Sequence, residues 1–519
     1  MNVTILHYHL NRGGVTQVIL NHLRALNQAS GARDVLRVAV LCGGRRAGWP
    51  EAISAELDAV QLTLCEIPEL DYDEDRPVAP AALAQRIRST MARLDFAPRD
   101  TVFHAHNHAL GKNVSLPGAI SELARDGYRW LLQIHDFAED FRPQNYRRLV
   151  RYLASASPNP VVGQQYPQAA QIHYAVLNAR DYRTLVAAGM DGNCLHLLPN
   201  PVEAPLLAPA LQARTAWEKR YGIARDQLLL LYPVRCIRRK NVGESLLWSV
   251  LSRGRATVAI SLAPINPLEK PAYERWRTLA DQLGLACRFD VGEPGGLTFA
   301  ENLAASDSIL TTSVSEGFGM VFLESWLTGR PLVGRDLPEI TIDFVKAGVE
   351  FPQLMLQLRV PLHWIDVSAF REMIAAEFRQ VLESYGEPAP EQHALDRVTE
   401  QWCQDNTIDF ALLGSDLQSQ VICKAHQSQA HCQQLLDVNP AVDEALAWDR
   451  SHASGTIEHN ARIIRDQYSF RAFGERLFAL YAEIVRSPLD TSLQPLAGSA
   501  AILHQYLDPS RLHLIRVEP

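Results

Sequence analysis

Two glutamates eight positions apart, Glu316 and Glu324, stand in "SEGFGMVFLESWLTGRPLVG" (Ser315 to Gly334), where Gly317 and Gly319 bracket Phe318. The glycines leave backbone N–H groups open where a helix should begin, a place for a phosphate or a sugar hydroxyl. Glu324 has Phe322, Leu323 and Trp326 for company, and a carboxylate there is costly to bury without hydrogen-bond donors. Ribose hydroxyls would supply them; a partly exposed helix glutamate would leave the Gly-Phe-Gly turn unexplained. Upstream, "VRCIRRK" sets Arg235 and Lys240 just after a β-rich run. A planar fork and a point charge together suit a diphosphate, and Arg238 and Arg239 read as solvated neighbours. Near the N-terminus, "NRGGVTQVIL" puts Gly13 and Gly14 between a strand and a helix, where the main chain can approach an anion. A plain tight turn fits those two glycines equally well.

Histidines gather at two further strand ends, His104, His106 and His108 in "FHAHNH" and His135 beside Asp136 in "QIHDF". His-x-His at a strand end also opens metal-dependent barrel hydrolases. That fold needs eight strand–helix units around one barrel, which a proline-rich break near residue 200 disfavours. These histidines are read instead as lining a cleft floor, with His106 touching a ligand. A second cluster, Cys423, His426, His431 and Cys432 in "CKAHQSQAHC", offers four ligands, but its spacing matches no common zinc module and a helix would not converge them. No metal is expected.

The elements that would position these groups alternate. Strands are expected at "VTILHY", "VLRVAVL", "VQLTLCEI", "TVFHAH", "WLLQIHD", "YAVLNA" and "CLHLLPN", with amphipathic helices such as 15–27 between them. After the prolines of 199–212 the alternation resumes with "DQLLLLYPVR", "ATVAISL", "ACRFDVG", "DSILTTS" and "PLVG". This is α/β patterning: two doubly wound sheets, 1–198 and 213–465, joined by a linker at 199–212, with ligands in the crevice at the carboxyl ends of the strands. Residues 340–465 look helical and polar, without clear strands. The helix in "YSFRAFGERLFALYAEIV" belongs to a C-terminal segment, 466–519, expected to cross back to the N-terminal domain. "DYDEDRP" (Asp71–Pro77) reads as a solvated acidic loop.

At 519 residues and net charge −8, with 20 basic against 19 acidic residues in the first 200, the chain lacks the excess of a nucleic-acid binder. It has no signal-like start and no apolar run long enough to span a bilayer, and its eight scattered cysteines include no CxxC pair. A cytoplasmic protein with reduced thiols is expected. "NYRRLVRYLA" (Asn145–Ala154) could offer a basic face to lipid, but an ordinary surface helix is the preferred reading.

"SEGFGMVFLESWLTGRPLV" closely resembles the E-x7-E signature of retaining glycosyltransferases of the GT-B fold, family 4 in particular. Its companions occur in that family's order: the glycine pair, "HAHNH", "QIHDF", "LPNPV" with Asn200, Arg-x4-Lys, and "RDLPEI". The likeness covers about 1–340 and the last long helix. It implies two Rossmann-like domains facing across a cleft, a nucleoside diphosphate sugar as donor, a small or carbohydrate-containing acceptor, and no cofactor or metal. On that resemblance Glu324 binds the donor ribose. Glu316 and the Gly317–Gly319 amides, Phe318 included, meet the donor sugar or phosphate. Arg235 and Lys240 neutralise the diphosphate, with Gly13 and Gly14 beside it. His135 contacts the sugar near the reacting carbon, Asp136 orienting it, and His106, Asp136 and Asn200 border the acceptor side. Val234 and Asn241 stand where the family often has glycine, and 340–465 matches nothing familiar. A sugar-nucleotide epimerase or hydrolase, or a non-catalytic nucleotide-binding partner subunit, would share these features.

Overall fold

The structure, a computed structural model, describes residues 1–30, 35–74, 76–156, 163–224, 226–390, 392–448 and 450–518. Asp75 of the acidic loop lies outside them. The chain divides into two units: Met1–Val202 with Ser384–Gly386 and Asp466–Asp508, and Glu203–Glu383 with Glu387–Arg465 and Pro509–Pro519.

In the first unit, β1 (Asn2–Leu6), β2 (Leu36–Cys42), β3 (Val60–Glu66), β4 (Thr101–His106), β5 (Arg129–Ile134), β7 (Ile172–Val176) and β8 (Leu195–Leu197) form one parallel sheet in the order β3-β2-β1-β4-β5-β7-β8. A two-residue strand, β6 (Pro167–Gln168), pairs separately with Gln494–Pro495. Alternate residues of a strand face opposite sides, and both sides here are apolar. Val3, Ile5, Val38 and Val40 pack on one side with Ile19, Leu23 and Leu26 of the helix Gly14–Ser30 and with Phe473, Leu477 and Tyr481 of the helix Phe470–Ile484. Leu6, Ala39 and Leu41 pack on the other with Leu83 and Ile87 and with Ile120 and Leu123 of two further helices. Sheets covered on both faces give the near-continuous apolar runs seen in the sequence. The last long helix lies close on its neighbour: a Cβ on Gly474 would come within 2.1 Å of the Ala25 carbonyl.

The second unit repeats the plan. β9 (Leu228–Arg235), β10 (Ala256–Leu262), β11 (Cys287–Arg288), β12 (Ser308–Thr311), β13 (Leu332–Arg335) and β14 (Leu354–Met355) run parallel in the order β11-β10-β9-β12-β13-β14. β9 and β10 slip register between Ile260 and Leu262, so that Pro233 and Val234 face a single residue, a bulge that tolerates the missing proline N–H. Residues 340–465 do contain strands, against expectation: β14 closes the sheet edge, and β15 (Arg359–Pro361) pairs antiparallel with β16 (Thr407–Asp409). These strands are two or three residues long, too short to carry a period.

This region is tied to the second sheet by charge. Arg335, the last residue of β13, is buried between Glu244 at 2.6 Å and Asp409 of β16 at 2.8 Å. Among the described residues no helix is long and apolar enough to cross a membrane.

Candidate active site

Strand order reverses at two places, between β1 and β4 in the first sheet and between β9 and β12 in the second. The loops leaving such neighbours part to opposite faces and open a crevice at the carboxyl edge. Most of the chemistry-bearing residues lie on those loops.

In the second unit Arg235 ends β9, and the bulge before it sets its direction. Its Nη1 donates to the Ala263 carbonyl at 2.7 Å. A single 3-10 turn, Arg238–Lys240, follows. The Lys240 ammonium is ion-paired with Glu316 Oε1, and Arg239 Nη1 lies 3.3 Å from Glu316 Oε2. One carboxylate thus holds two cations. Burial alone would raise the Glu316 carboxyl, but Lys240 and Arg239 hold it below its usual value. Burial lowers the Lys240 ammonium, and Glu316 opposes that.

Arg238 and Arg239 are therefore not solvated neighbours. Arg238 lies 3.4 Å from Glu269 and donates to the Glu518 carbonyl, while Arg239 is part of the Glu316 group. The tight turn sends Arg238 to Glu269 and Glu518 and brings Arg239 and Lys240 together on Glu316.

Asn241 explains one departure from the family pattern. Its backbone is left-handed, φ 49° and ψ 53°, a conformation open to glycine and, among other residues, chiefly to asparagine. Its side chain adds what glycine lacks: Nδ2 donates to Glu244 at 2.7 Å, and Oδ1 accepts from Gln418 at 3.0 Å. Gln418 belongs to the 340–465 region, which thereby braces the loop carrying Lys240. The Tyr232 hydroxyl, 2.8 Å from the Lys240 carbonyl and 2.9 Å from Ser313, joins the same loop to the one after β12.

The helix after Gly319 runs from Val321 to Leu327, and Glu324 lies in its first turn. Gly319 has φ 77°, and a Cβ there would strike the Phe322 ring at 2.5 Å. Phe318 is buried edge-on to Phe344, ring centres 5.4 Å apart, so its side chain is core and only its backbone could meet a ligand. Glu324 is half-buried and, among the described residues, its carboxylate has no hydrogen bond or ion pair. Burial pushes it up to about 7.

In the first unit Gly13 and Gly14 are exposed, and a Cβ on Gly14 would meet nothing within 4 Å. The protein's own packing does not require glycine at Gly14, which leaves room for an external group. His106 ends β4 and His135 follows β5; His106 Nδ1 and His135 Nε2 are 2.8 Å apart, one donating to the other. Asn107 is the residue the sequence did not single out. In left-handed backbone at φ 57°, its Oδ1 accepts from the backbone N–H of His135 at 2.7 Å and of Asp136 at 3.1 Å. Asp136 pairs with Arg142 at 2.6 Å. Burial lowers His135 to about 4, with Asp136 opposing, and His106 well below its usual value, so both rings are neutral at pH 7. His108 bonds the Gln165 carbonyl at 3.1 Å, and buried Asn200 has an unpartnered Oδ1 among the described residues.

One ring nitrogen each of His22, His104 and His106 lie within 4.8 Å of one another, the group among the described residues that could hold a metal ion. His104 is already bonded at both nitrogens, to Tyr481 at 2.7 Å and Gln133 at 2.9 Å. The Cys423–Cys432 stretch is split between two helices at Ser428, with Cys432 buried against the Val250 carbonyl.

No protein-family model matches the chain. It is 25% identical over 504 residues, 93% of this chain and 91% of the relative, to mannosylglucosyl-3-phosphoglycerate synthase of Petrotoga mobilis. HepE of Anabaena in complex with UDP and glucose superimposes with TM-score 0.51 at 12% identity, covering 93% of this chain and 100% of that one. Sucrose-phosphate synthase from Thermosynechococcus elongatus gives 0.50 at 13% identity, covering 93% and 99%. The fold of this chain is GT-B, two Rossmann-like domains with a helical extension in the C-terminal half.

Proposed function

We propose that this chain is a retaining glycosyltransferase that moves a hexosyl group from a nucleoside diphosphate sugar to an acceptor hydroxyl without a metal ion. The observation that carries it is the edge after β9 and β12: two cations share Glu316, Arg235 stands beside them in sequence, and Glu324 waits without a donor. Cations in that excess suit a diphosphate. An unpaired half-buried carboxylate suits ribose hydroxyls, which would satisfy it. The fold shared with a UDP-bound protein supports the same ligand class. The relative from Petrotoga mobilis is named for a mannosylglucosyl-3-phosphoglycerate, and a sugar-bearing acid of that kind is the acceptor class carried over here.

The chemistry follows from charge. As the anomeric carbon–oxygen bond breaks, negative charge gathers on the leaving phosphate, and Lys240 with Arg235 stabilises it without reorganising. The acceptor proton needs a base. A ring near 4, as His135 is, makes a poor one at neutral pH. The departing phosphate is the better base, and taking the proton on the face it leaves gives retention. Neutral His135, fixed by His106 and Asn107, then serves as a hydrogen-bonding contact to the sugar.

The test is to incubate the protein with UDP-, GDP- and ADP-sugars and a sugar acid, with and without EDTA, and to read products by mass spectrometry and anomeric configuration by NMR. A product of retained configuration, formed equally well in EDTA, is expected. An inverted product, or none with any donor, refutes the reading.

A further inference from the structure

At the carboxyl edge of the first sheet, loops from several strands meet on one tyrosine. Tyr72, after β3, has the Arg45 guanidinium carbon, after β2, 4.8 Å from its ring centre. The Lys112 ammonium, after β4, is 5.3 Å from the same ring, and the His9 ring, after β1, is 5.0 Å away centre to centre. Arg142, after β5, and Arg148, on the helix Pro143–Ala156, stand close enough to repel Lys112. The arginines are each engaged: Arg45 with Asp71, Arg148 with Asp73, Arg142 with Asp136.

Lys112 differs from all of them. It is half-buried and, among the described residues, its ammonium has neither a hydrogen bond nor an ion pair. Burial, Arg142 and Arg148 all lower its pKa, and no carboxylate opposes them. A desolvated cation facing two others is an arrangement that an incoming oxyanion would relieve. The tyrosine face alone compensates that charge only weakly.

We propose that this edge binds the oxyanion of the acceptor, a phosphate or a carboxylate, with Lys112 as its point-charge partner, Arg142 beside it and the Tyr72 ring as one wall. That the oxyanion belongs to an acceptor rests on the glycosyltransferase reading; that the edge takes an oxyanion does not. The interaction would seat the acid end of a sugar acid on the same carboxyl edge as His135 and His106, which end or follow β5 and β4.

The experiment is calorimetric titration of the full chain with 3-phosphoglycerate, glycerol 3-phosphate, glycerate and glycerol, for wild type, Lys112→Met and Lys112→Arg, with each variant's thermal unfolding checked. The phosphate-only and carboxylate-only compounds separate the two sources of the charge. Binding of at least one acid, none of glycerol, a loss of about tenfold or more in Lys112→Met, and recovery to within about threefold in Lys112→Arg are expected. Equal affinity in Lys112→Met, or no acid bound by a wild type that binds a nucleotide sugar, overturns the site. Acid binding lost in Lys112→Met by a protein that binds no nucleotide sugar supports the site and rejects the glycosyltransferase reading instead.

Discussion

Donor affinity should depend on pH through Glu324, and the size of the effect can be worked from its surroundings. Burial holds this carboxyl up to about 7 in the free protein. On the ribose assignment the ionised form accepts through both oxygens, whereas the protonated form keeps an O–H donor on one of them, so the donor should bind the deprotonated protein. The apparent Kd is then multiplied by one plus the ratio of protonated to ionised Glu324. That factor is about 1.1 at pH 8, about 11 at pH 6 and about 100 at pH 5. Affinity is therefore full above pH 8 and falls as pH drops through 7, the sign expected of a raised acid whose charged form is needed. His135, lowered to about 4, titrates below this window, and burial and the neighbouring histidines hold His106 well below its usual value. Glu139 and Glu244, which burial also raises to about 7, titrate inside it, so the decisive quantity is the slope removed by Glu324→Gln. That variant should bind about 10- to 150-fold more weakly at pH 8, the loss of hydrogen bonds to a charge, roughly 1.5–3 kcal/mol, and should lose the tenfold slope between pH 8 and 6. Calorimetric titration with UDP-, GDP- and ADP-sugars over pH 5.5–8.5 measures both. A wild-type affinity flat across that range, or a glutamine variant keeping the wild-type slope, would remove Glu324 from the ribose.

Arg235→Ala and Lys240→Ala should each lower kcat/KM by roughly two to three orders of magnitude, about 3–4 kcal/mol, and near-wild-type turnover in both rejects the diphosphate assignment. Arg335→Met leaves Glu244 and Asp409 facing each other without their cation, and a urea titration should show a loss of about 3–5 kcal/mol; an unchanged midpoint would mean water already reaches the triad. Asn241→Val puts a β-branched residue at φ 49° and should cost about 1–3 kcal/mol plus two hydrogen bonds, whereas Asn241→Gly loses the bonds alone. If the glycine variant unfolds as readily as the valine one, the backbone argument is wrong.

The fold was legible because its strands are buried on both sides. Runs such as "TVFHAH" and "ATVAISL" match β4 and β10 residue for residue, and the helices between them keep one apolar face. Where strands shorten to two or three residues, as in β14, β15 and β16, no period exists to read, and the region looked purely helical. Sequence also placed Lys240 and Glu316 in one site by family resemblance without showing that they touch. Asn107 stayed invisible for another reason: its role rests on a left-handed backbone and on loops joined across the sheet, and nothing local distinguishes it from a turn asparagine.

The Lys240–Glu316 contact itself is a product of strand order. β12 pairs directly with β9, Ser308 opposite Leu230 and Ile309 opposite Leu231, so both strands end on one edge although their loops are far apart in sequence. Glu316 is brought to Lys240 and Arg239 by that pairing, and it holds the two cations without neutralising both. Were Glu316 only a structural counter-ion, Glu316→Gln would leave Lys240 and Arg239 to repel each other, and stability and donor affinity would fall together. If the pair exists to be opened by a diphosphate, the same variant frees Lys240 for the phosphate. Donor affinity should then hold or rise while turnover falls, because the amide no longer meets the sugar as a charge. Measuring the donor Kd and kcat of that variant on one preparation separates the two, and a parallel loss of Kd, kcat and melting temperature would refute the second.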